Sequence, residues 1–213
     1  MKNKPPLDGL YLLTDAELCR ENGMLPGVAA ALRGGVCLVQ YRDKSDDHER
    51  RRKEARALVE LCHDANARLI VNDDVELAFE VAADGVHLGQ DDEDIARARE
   101  KLGDDAIIGV SCYNAFSRAV AAERSGANYV AFGSVFPSPI KPDAPRAPLH
   151  LLQQAREELD IPVCAIGGIN ADNIGKVAAT GVHLFAVISA LLTARNPEDT
   201  ARDLLRRVSA ARN

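Results

Sequence analysis

The sequence predicts an α/β fold, a single (β/α)8 TIM barrel spanning residues 1–213. Apolar runs rich in β-branched residues alternate with segments of helical period along the whole chain, the pattern of parallel strands joined by crossover helices. Eight such units follow one another, and no shift in composition marks a second domain. A closed barrel absorbs eight units in series. A doubly wound open sheet is the alternative, because strand order is not written in one sequence.

The strand runs are LDGLYLLTD, GVCLVQYR, ARLIVND, GVHLG, AIIGVSC, NYVAFGSVF, PVCAIGGI and HLFAVIS, in that order. After the second comes HERRRKEARALVELCHDAN, which sets Ala55, Leu58, Val59 and Cys62 on one helical face. SRAVAAERSG, LHLLQQAREEL and EDTARDLLRRVSAA repeat the period. Asn114, Asn170 and Pro197 stand where helices are expected to start, and Gly103, Gly126 and Gly181 where they are expected to end. One segment breaks the rhythm. FPSPIKPDAPRAP, residues 136–148, carries five prolines, and reads as an extended loop leaving the sixth strand over the strand ends.

With 46% hydrophobic and 27% charged residues, the chain has material for a core and is not disordered. Its net charge of −6 argues against a sequence-independent nucleic-acid binder, which needs a basic footprint. The five cysteines are scattered, with no C-x-x-C pair, so neither a zinc site nor a disulfide framework is expected and a reducing cytoplasm fits. The start, MKNKPPLDG, lacks the apolar stretch of a secretory signal, and no run is long enough to span a bilayer.

In a parallel barrel the working residues sit at the carboxyl ends of the strands. Gln40, Arg42 and Lys44 alternate at the end of the second run, so a period of two points them the same way. Asn72-Asp73 closes the third run, although Asp73 or Asp74 also suits the cap of the following helix. Gln90-Asp91-Asp92 follows the fourth, with the same capping alternative. Carboxylates on neighbouring strands, roughly 5 Å apart, repel unless a cation lies between them. Magnesium, completed by substrate phosphates, meets that need. Ser111 ends the fifth run, and Ser138 and Lys141 lie in the proline-rich loop. Gly167-Gly168 and Ile188-Ser189, after the seventh and eighth runs, stand where such barrels cradle phosphate. Of the five histidines, His87 and His183 fall in strand-like runs and read as structural, while His48, His63 and His150 read as surface helix residues.

VQYRDK, LIVNDDVELA, ADGVHLGQDD, IIGVS, FGSVFPSPIKP, IPVCAIGGIN and FAVISA, in this order and at these spacings, resemble the thiamine phosphate synthase family. The resemblance implies a transferase that joins an aminopyrimidine methyl diphosphate to hydroxyethylthiazole phosphate, or its carboxylated form, releasing pyrophosphate. It implies that Gln40 and Ser111 meet the pyrimidine, and that Arg42, Lys44, Asn72 and Lys141 hold the diphosphate. Asp73 and Asp92 would bind Mg2+, and Ser138, Ile140, Gly168, Ile188 and Ser189 would hold the thiazole phosphate. The partners it implies are these small molecules, with no nucleic acid or membrane and with room for a homo-oligomer. The family loop usually reads Thr-x-Thr-Lys, whereas here it is Ser138-Pro139-Ile140-Lys141, which removes one hydroxyl. Tyr113 also stands where many relatives carry His or Thr. Two alternatives share the fold: a thiazole tautomerase, and a paralogue that binds thiamine precursors without turnover. Tautomerases of this kind carry a histidine where FGSVF places Ser134.

Overall fold

The computed structural model describes residues 7–19, 23–89, 94–137 and 145–212. Eight parallel strands close into a barrel in sequence order: β1 (Gly9–Leu13), β2 (Leu38–Tyr41), β3 (Arg68–Asn72), β4 (Gly85–Leu88), β5 (Ile107–Tyr113), β6 (Tyr129–Phe132), β7 (Val163–Ile166) and β8 (Leu184–Val187). β1 pairs with both β2 and β8, and this closes the sheet. The helices are α1 (Met24–Arg33), α2 (His48–Asp64), α3 (Val75–Glu80), α4 (Ile95–Leu102), α5 (Phe116–Arg124), α6 (Leu149–Glu158), α7 (Ile174–Ala178), α8 (Ser189–Leu192) and α9 (Pro197–Arg212). A strand buried on both faces has no polar side to show, which is why each run reads as continuously apolar.

The alternation along each strand divides the core in two. Leu10, Leu12, Val39, Leu69, Val71 and Val86 face outward and pack under the helices. Tyr11, Leu13, Leu38, Ile70, Tyr129, Cys164 and Leu184 face inward and fill the barrel. On α2, Ala55, Leu58 and Cys62 are buried as their spacing predicts, with Val59 packed at the margin. Full burial of a leucine such as Leu58 stabilises by about 1.5–3 kcal/mol.

Several helix ends fall as expected and two do not. α9 begins at Pro197, with the Asn196 side chain accepting from the Asp199 amide. Gly103, Gly126 and Gly181 all adopt positive φ just beyond helices. Asn114 does not cap α5: a register irregularity between Ser111 and Tyr113 carries the chain one residue further, and Ala115 takes the cap position. Asn170 likewise opens a turn, where its side chain accepts from the Asp172 amide, and α7 starts only after Asn173. At the opposite end of the barrel from the site, Arg212 reaches Asp8 at 2.8 Å and the Val182 carbonyl at 2.7 Å, tying α9 to β1 and β8. No helix among the described residues is long and apolar enough to cross a membrane.

Candidate active site

The carboxyl ends of the strands surround a cavity of about 150 Å³. Gln40, Arg42, Asn72, Ser111, Gly168, Ile188 and Ser189 all line it. They come from β2, β3 and β5 and from the loops after β2, β7 and β8, so strand order alone brings them to one mouth. Tyr41, between Gln40 and Arg42, turns outward and donates its hydroxyl to Glu54 on α2 at 2.8 Å, as the alternation requires.

Lys44 and Asp73 do not line the cavity but flank it as an ion pair, Nζ to Oδ2 at 3.3 Å. Asp92, Ser138, Ile140 and Lys141 lie outside the described residues. The choice between Asp73 and Asp74 is settled by geometry. Asp74 caps α3, accepting from the Leu77 amide at 2.8 Å, and also meets Arg51 at 2.7 Å. Asp73 is left out of the cap. Its φ of +64° and its amide bond to the His87 carbonyl hold it at the β3 end beside Lys44. The corresponding capping role before α4 belongs to Asp94, which accepts from the Arg97 amide at 3.0 Å. No cluster of three metal-ligating side chains occurs among the described residues. The hard oxygen donor at Asp73, unspent on capping, is of the kind that would hold a magnesium ion, beside the Lys44 ammonium.

The segment that carries Lys44 is pinned by Asp43, whose side chain is only 4% exposed. Its carboxylate accepts from the Ser45 amide at 2.8 Å and from Arg50 at 2.6 Å. Burial works against the charge, but the Ser45 hydrogen bonds and the Arg50 and Arg51 guanidinium groups outweigh it and hold the carboxyl below its usual range. Because the folded pKa is depressed, the stabilisation is present above the unfolded carboxylate pKa and is lost as pH falls through the folded one. Thermal melts from about pH 7 down to about pH 2 are expected to show a shallower acid decline for Asp43→Asn than for the parent, from a lower starting stability. An unchanged acid slope would mean that Asp43 contributes nothing to it.

The loops after β6 and β7 interlock. Gly167 and Gly168 have φ of +104° and +62°, and a Cβ on Gly168 would fall 2.3 Å from the Pro137 carbonyl oxygen. Asn173 donates to the Gly168 carbonyl at 2.9 Å and fixes the turn. Ile188 precedes the short α8 with Ser189 as its first residue, and both line the same mouth as Gly167 and Gly168. Ser134 donates its hydroxyl to the Phe136 carbonyl at 2.6 Å, spending it on the loop.

Beneath the cavity, buried side chains join two of its strand-end residues. Gln40 Nε2 donates to the Tyr11 hydroxyl, which lies 2.8 Å from the Tyr129 hydroxyl. Tyr129 meets His87 Nδ1 at 2.9 Å, and His87 Nε2 meets Ser111 Oγ at 2.9 Å. His87 is buried, as its strand position implied, yet it lines the cavity as well. Gly109 makes the chain of contacts sterically possible: it pairs between His87 and Tyr129, and a Cβ there would fall 2.0 Å from the Tyr129 ring. Burial pushes both phenols up, so they stay protonated. Tyr113 completes the rim with φ of +55°, its ring beneath the Arg118 guanidinium at 5.6 Å.

The family model for thiamine monophosphate synthase matches residues 10–191. The chain belongs to that family. A thiamine-phosphate synthase of Halorhodospira halophila is 53% identical over 205 residues, covering 95% of this chain and 96% of its own. One from Thioalkalivibrio sulfidiphilus is 52% identical over 198 residues, covering 93% and 94%. A solved thiamine phosphate pyrophosphorylase from Pyrococcus furiosus superposes with a TM-score of 0.88 at 37% identity, covering 97% of this chain and 98% of that one. Membership in the synthase family thus agrees in sequence and in barrel geometry across nearly the whole chain.

Proposed function

We propose that this barrel joins 4-amino-2-methyl-5-(diphosphomethyl)pyrimidine to hydroxyethylthiazole phosphate, or its carboxylated form, to give thiamine phosphate and pyrophosphate, the carboxylated form also losing CO2 and taking a proton from solvent at the ring carbon that bore it. The observation that carries the reading is the convergence of Gln40, Arg42, Asn72, Ser111, Gly168, Ile188 and Ser189 on one cavity in a chain of this family. Gln40 and Ser111 hold the pyrimidine, while Arg42, Lys44 and Asn72, joined by Lys141, hold its diphosphate. As the bond from the methylene carbon to the diphosphate oxygen breaks, the oxygen keeps the electron pair. The cationic side chains stabilise the charge that develops there. The thiazole nitrogen then donates its lone pair to the methylene carbon. Amides of Gly168, Ile188 and Ser189, with Ser138 and Ile140, hold the thiazole phosphate so that the nitrogen faces that carbon. Asp73 and Asp92 would hold Mg2+, which supplies further positive charge to the leaving diphosphate. Holding both substrates in one mouth contributes at most about 7–11 kcal/mol by proximity. Substitution on the non-carboxylated thiazole moves no proton, so a site without a free general base suffices.

The five cysteines are free thiols, which suits the cytoplasm. The reading needs no nucleic acid or membrane partner and leaves a homo-oligomer open.

The test supplies both substrates and magnesium and measures thiamine phosphate and pyrophosphate together. They are expected in equal amounts, with none formed when either substrate is omitted. The same protein, given the thiazole carboxylate phosphate alone, is expected to leave its double bonds in place by NMR, because the Ser134 hydroxyl is a weak base and is already bonded to Phe136. Enzyme-dependent isomerisation without condensation would favour the tautomerase reading instead.

A further inference from the structure

The hydrogen-bonded chain across the barrel floor has a direction. Five side chains, from β2, β1, β6, β4 and β5, link Gln40 to Ser111 through Tyr11, Tyr129 and His87. Each hydroxyl has a single proton to donate, and a neutral imidazole has one donating and one accepting nitrogen. With the Gln40 amide donating to Tyr11, Tyr11 donates to Tyr129 and Tyr129 to His87 Nδ1. The imidazole proton then lies on Nε2 and goes to Ser111. In that order Gln40 offers its carbonyl oxygen to the cavity and Ser111 offers a hydroxyl proton. Turning the Gln40 amide end for end reverses every link. Gln40 then offers N–H and Ser111 offers a lone pair. With the imidazole neutral, two donors at the ends would leave the Tyr11–Tyr129 link unmade, and two acceptors would leave one phenol proton with no acceptor in the chain; unsatisfied polar groups at this depth are costly.

We propose that Tyr11, Tyr129 and His87 are positioning residues that force Gln40 and Ser111 to present opposite hydrogen-bonding polarity, so that the site selects a ring carrying a donor on one edge and an acceptor on the other. This rests on the reading of the cavity as a pyrimidine site and deepens it. A 4-aminopyrimidine has such edges, an amine on C4 and an unprotonated N1 across the ring. The 4-oxo counterpart protonated at N3 presents acceptors at both positions and is refused in either order. Gly109 belongs to the same device, since any side chain there would displace Tyr129 and open the chain in the middle.

Tyr129 suits the test because it is fully buried and does not line the cavity, so Tyr129→Phe removes one oxygen and leaves every cavity-lining side chain in place. The measurement is kcat/KM for the 4-amino and 4-oxo pyrimidine diphosphates in the parent, Tyr129→Phe, Tyr11→Phe and the double variant. Taking the ratio for each protein against the parent ratio cancels the different intrinsic reactivity of the two rings. Preference for the amino substrate is expected to fall at least about tenfold in each single variant. KM for the thiazole phosphate is expected to stay at the parent value. The double variant is expected to discriminate no worse than either single one, because a chain already opened has no coupling left to lose. A preference unchanged in both single variants overturns the proposal. So does an equal loss for both pyrimidines, or additive losses in the double variant, either of which marks a structural role alone. If Tyr129→Phe does not fold, Tyr11→Phe carries the test. A parent that makes no thiamine phosphate fails at the earlier step and takes this inference with it.

Discussion

Asp73→Gly is expected to remove turnover while leaving the fold about as stable as before. A residue other than glycine at φ of +64° is strained, by about 1–3 kcal/mol in general and less for aspartate, which tolerates this region. Glycine relieves the strain but loses more chain entropy on folding, so the two nearly cancel, within about 1 kcal/mol. The function is not compensated. The carboxylate beside Lys44 is gone, and kcat/KM is expected to fall by about a hundredfold or more. Asp74→Ala provides the contrast. It strips the cap of α3 and leaves the partly buried Arg51 without its carboxylate, so stability falls, by about 0.5–2 kcal/mol from the cap alone. Melting curves and steady-state kinetics on the two variants separate the roles of these adjacent aspartates. Full activity of Asp73→Gly, or parent activity that survives EDTA, would remove the metal from the account.

Gly168→Ala is expected to damage the thiazole side selectively. Its Cβ would approach the Pro137 carbonyl oxygen to 2.3 Å and the Phe136 Cβ to 2.9 Å, on a backbone already at φ of +62°. Left-handed strain and overpacking together cost about 2–4 kcal/mol unless the loop moves. Movement displaces the amides proposed to face the thiazole phosphate. KM for that substrate is therefore expected to rise at least about tenfold. KM for the pyrimidine diphosphate, proposed to be held from β2, β3 and β5, is expected to change much less. Equal rises in both would indicate a general loss of structure.

The barrel was legible because its signal is local and redundant. LIVN, VHL and LFAV each form a strand on their own evidence, and each strand end then falls at the same rim. The candidate residues were legible for the same reason, since a position at a strand end fixes an address before any contact is known. What the sequence hid is what depends on closure. Tyr11 and Tyr129 are 118 residues apart and meet only because the barrel brings the inner faces of β1 and β6 together. Inside apolar runs, they and His87 look like core side chains, and by burial they are. The one local sign was Gly109 between two strongly apolar neighbours, a gap that has meaning only once its strand partners are known. Asp73 and Asp74 were indistinguishable as letters, and the sign of one φ angle separates them. Asn114 misled because an irregularity in β5 used up the residue that would have capped the helix.

In the proposed reaction the cationic side chains at the β2 end act on the departing diphosphate. Lys44 is the side chain to remove, because it flanks the cavity without lining it and pairs with Asp73. In a single turnover with enzyme in excess, Lys44→Ala is expected to release pyrophosphate about tenfold to a hundredfold more slowly than the parent, the loss of one charge-assisted hydrogen bond of about 1.5–3 kcal/mol. The affinity for thiazole phosphate is expected to be unchanged. Pyrophosphate release at the parent rate would contradict the claim.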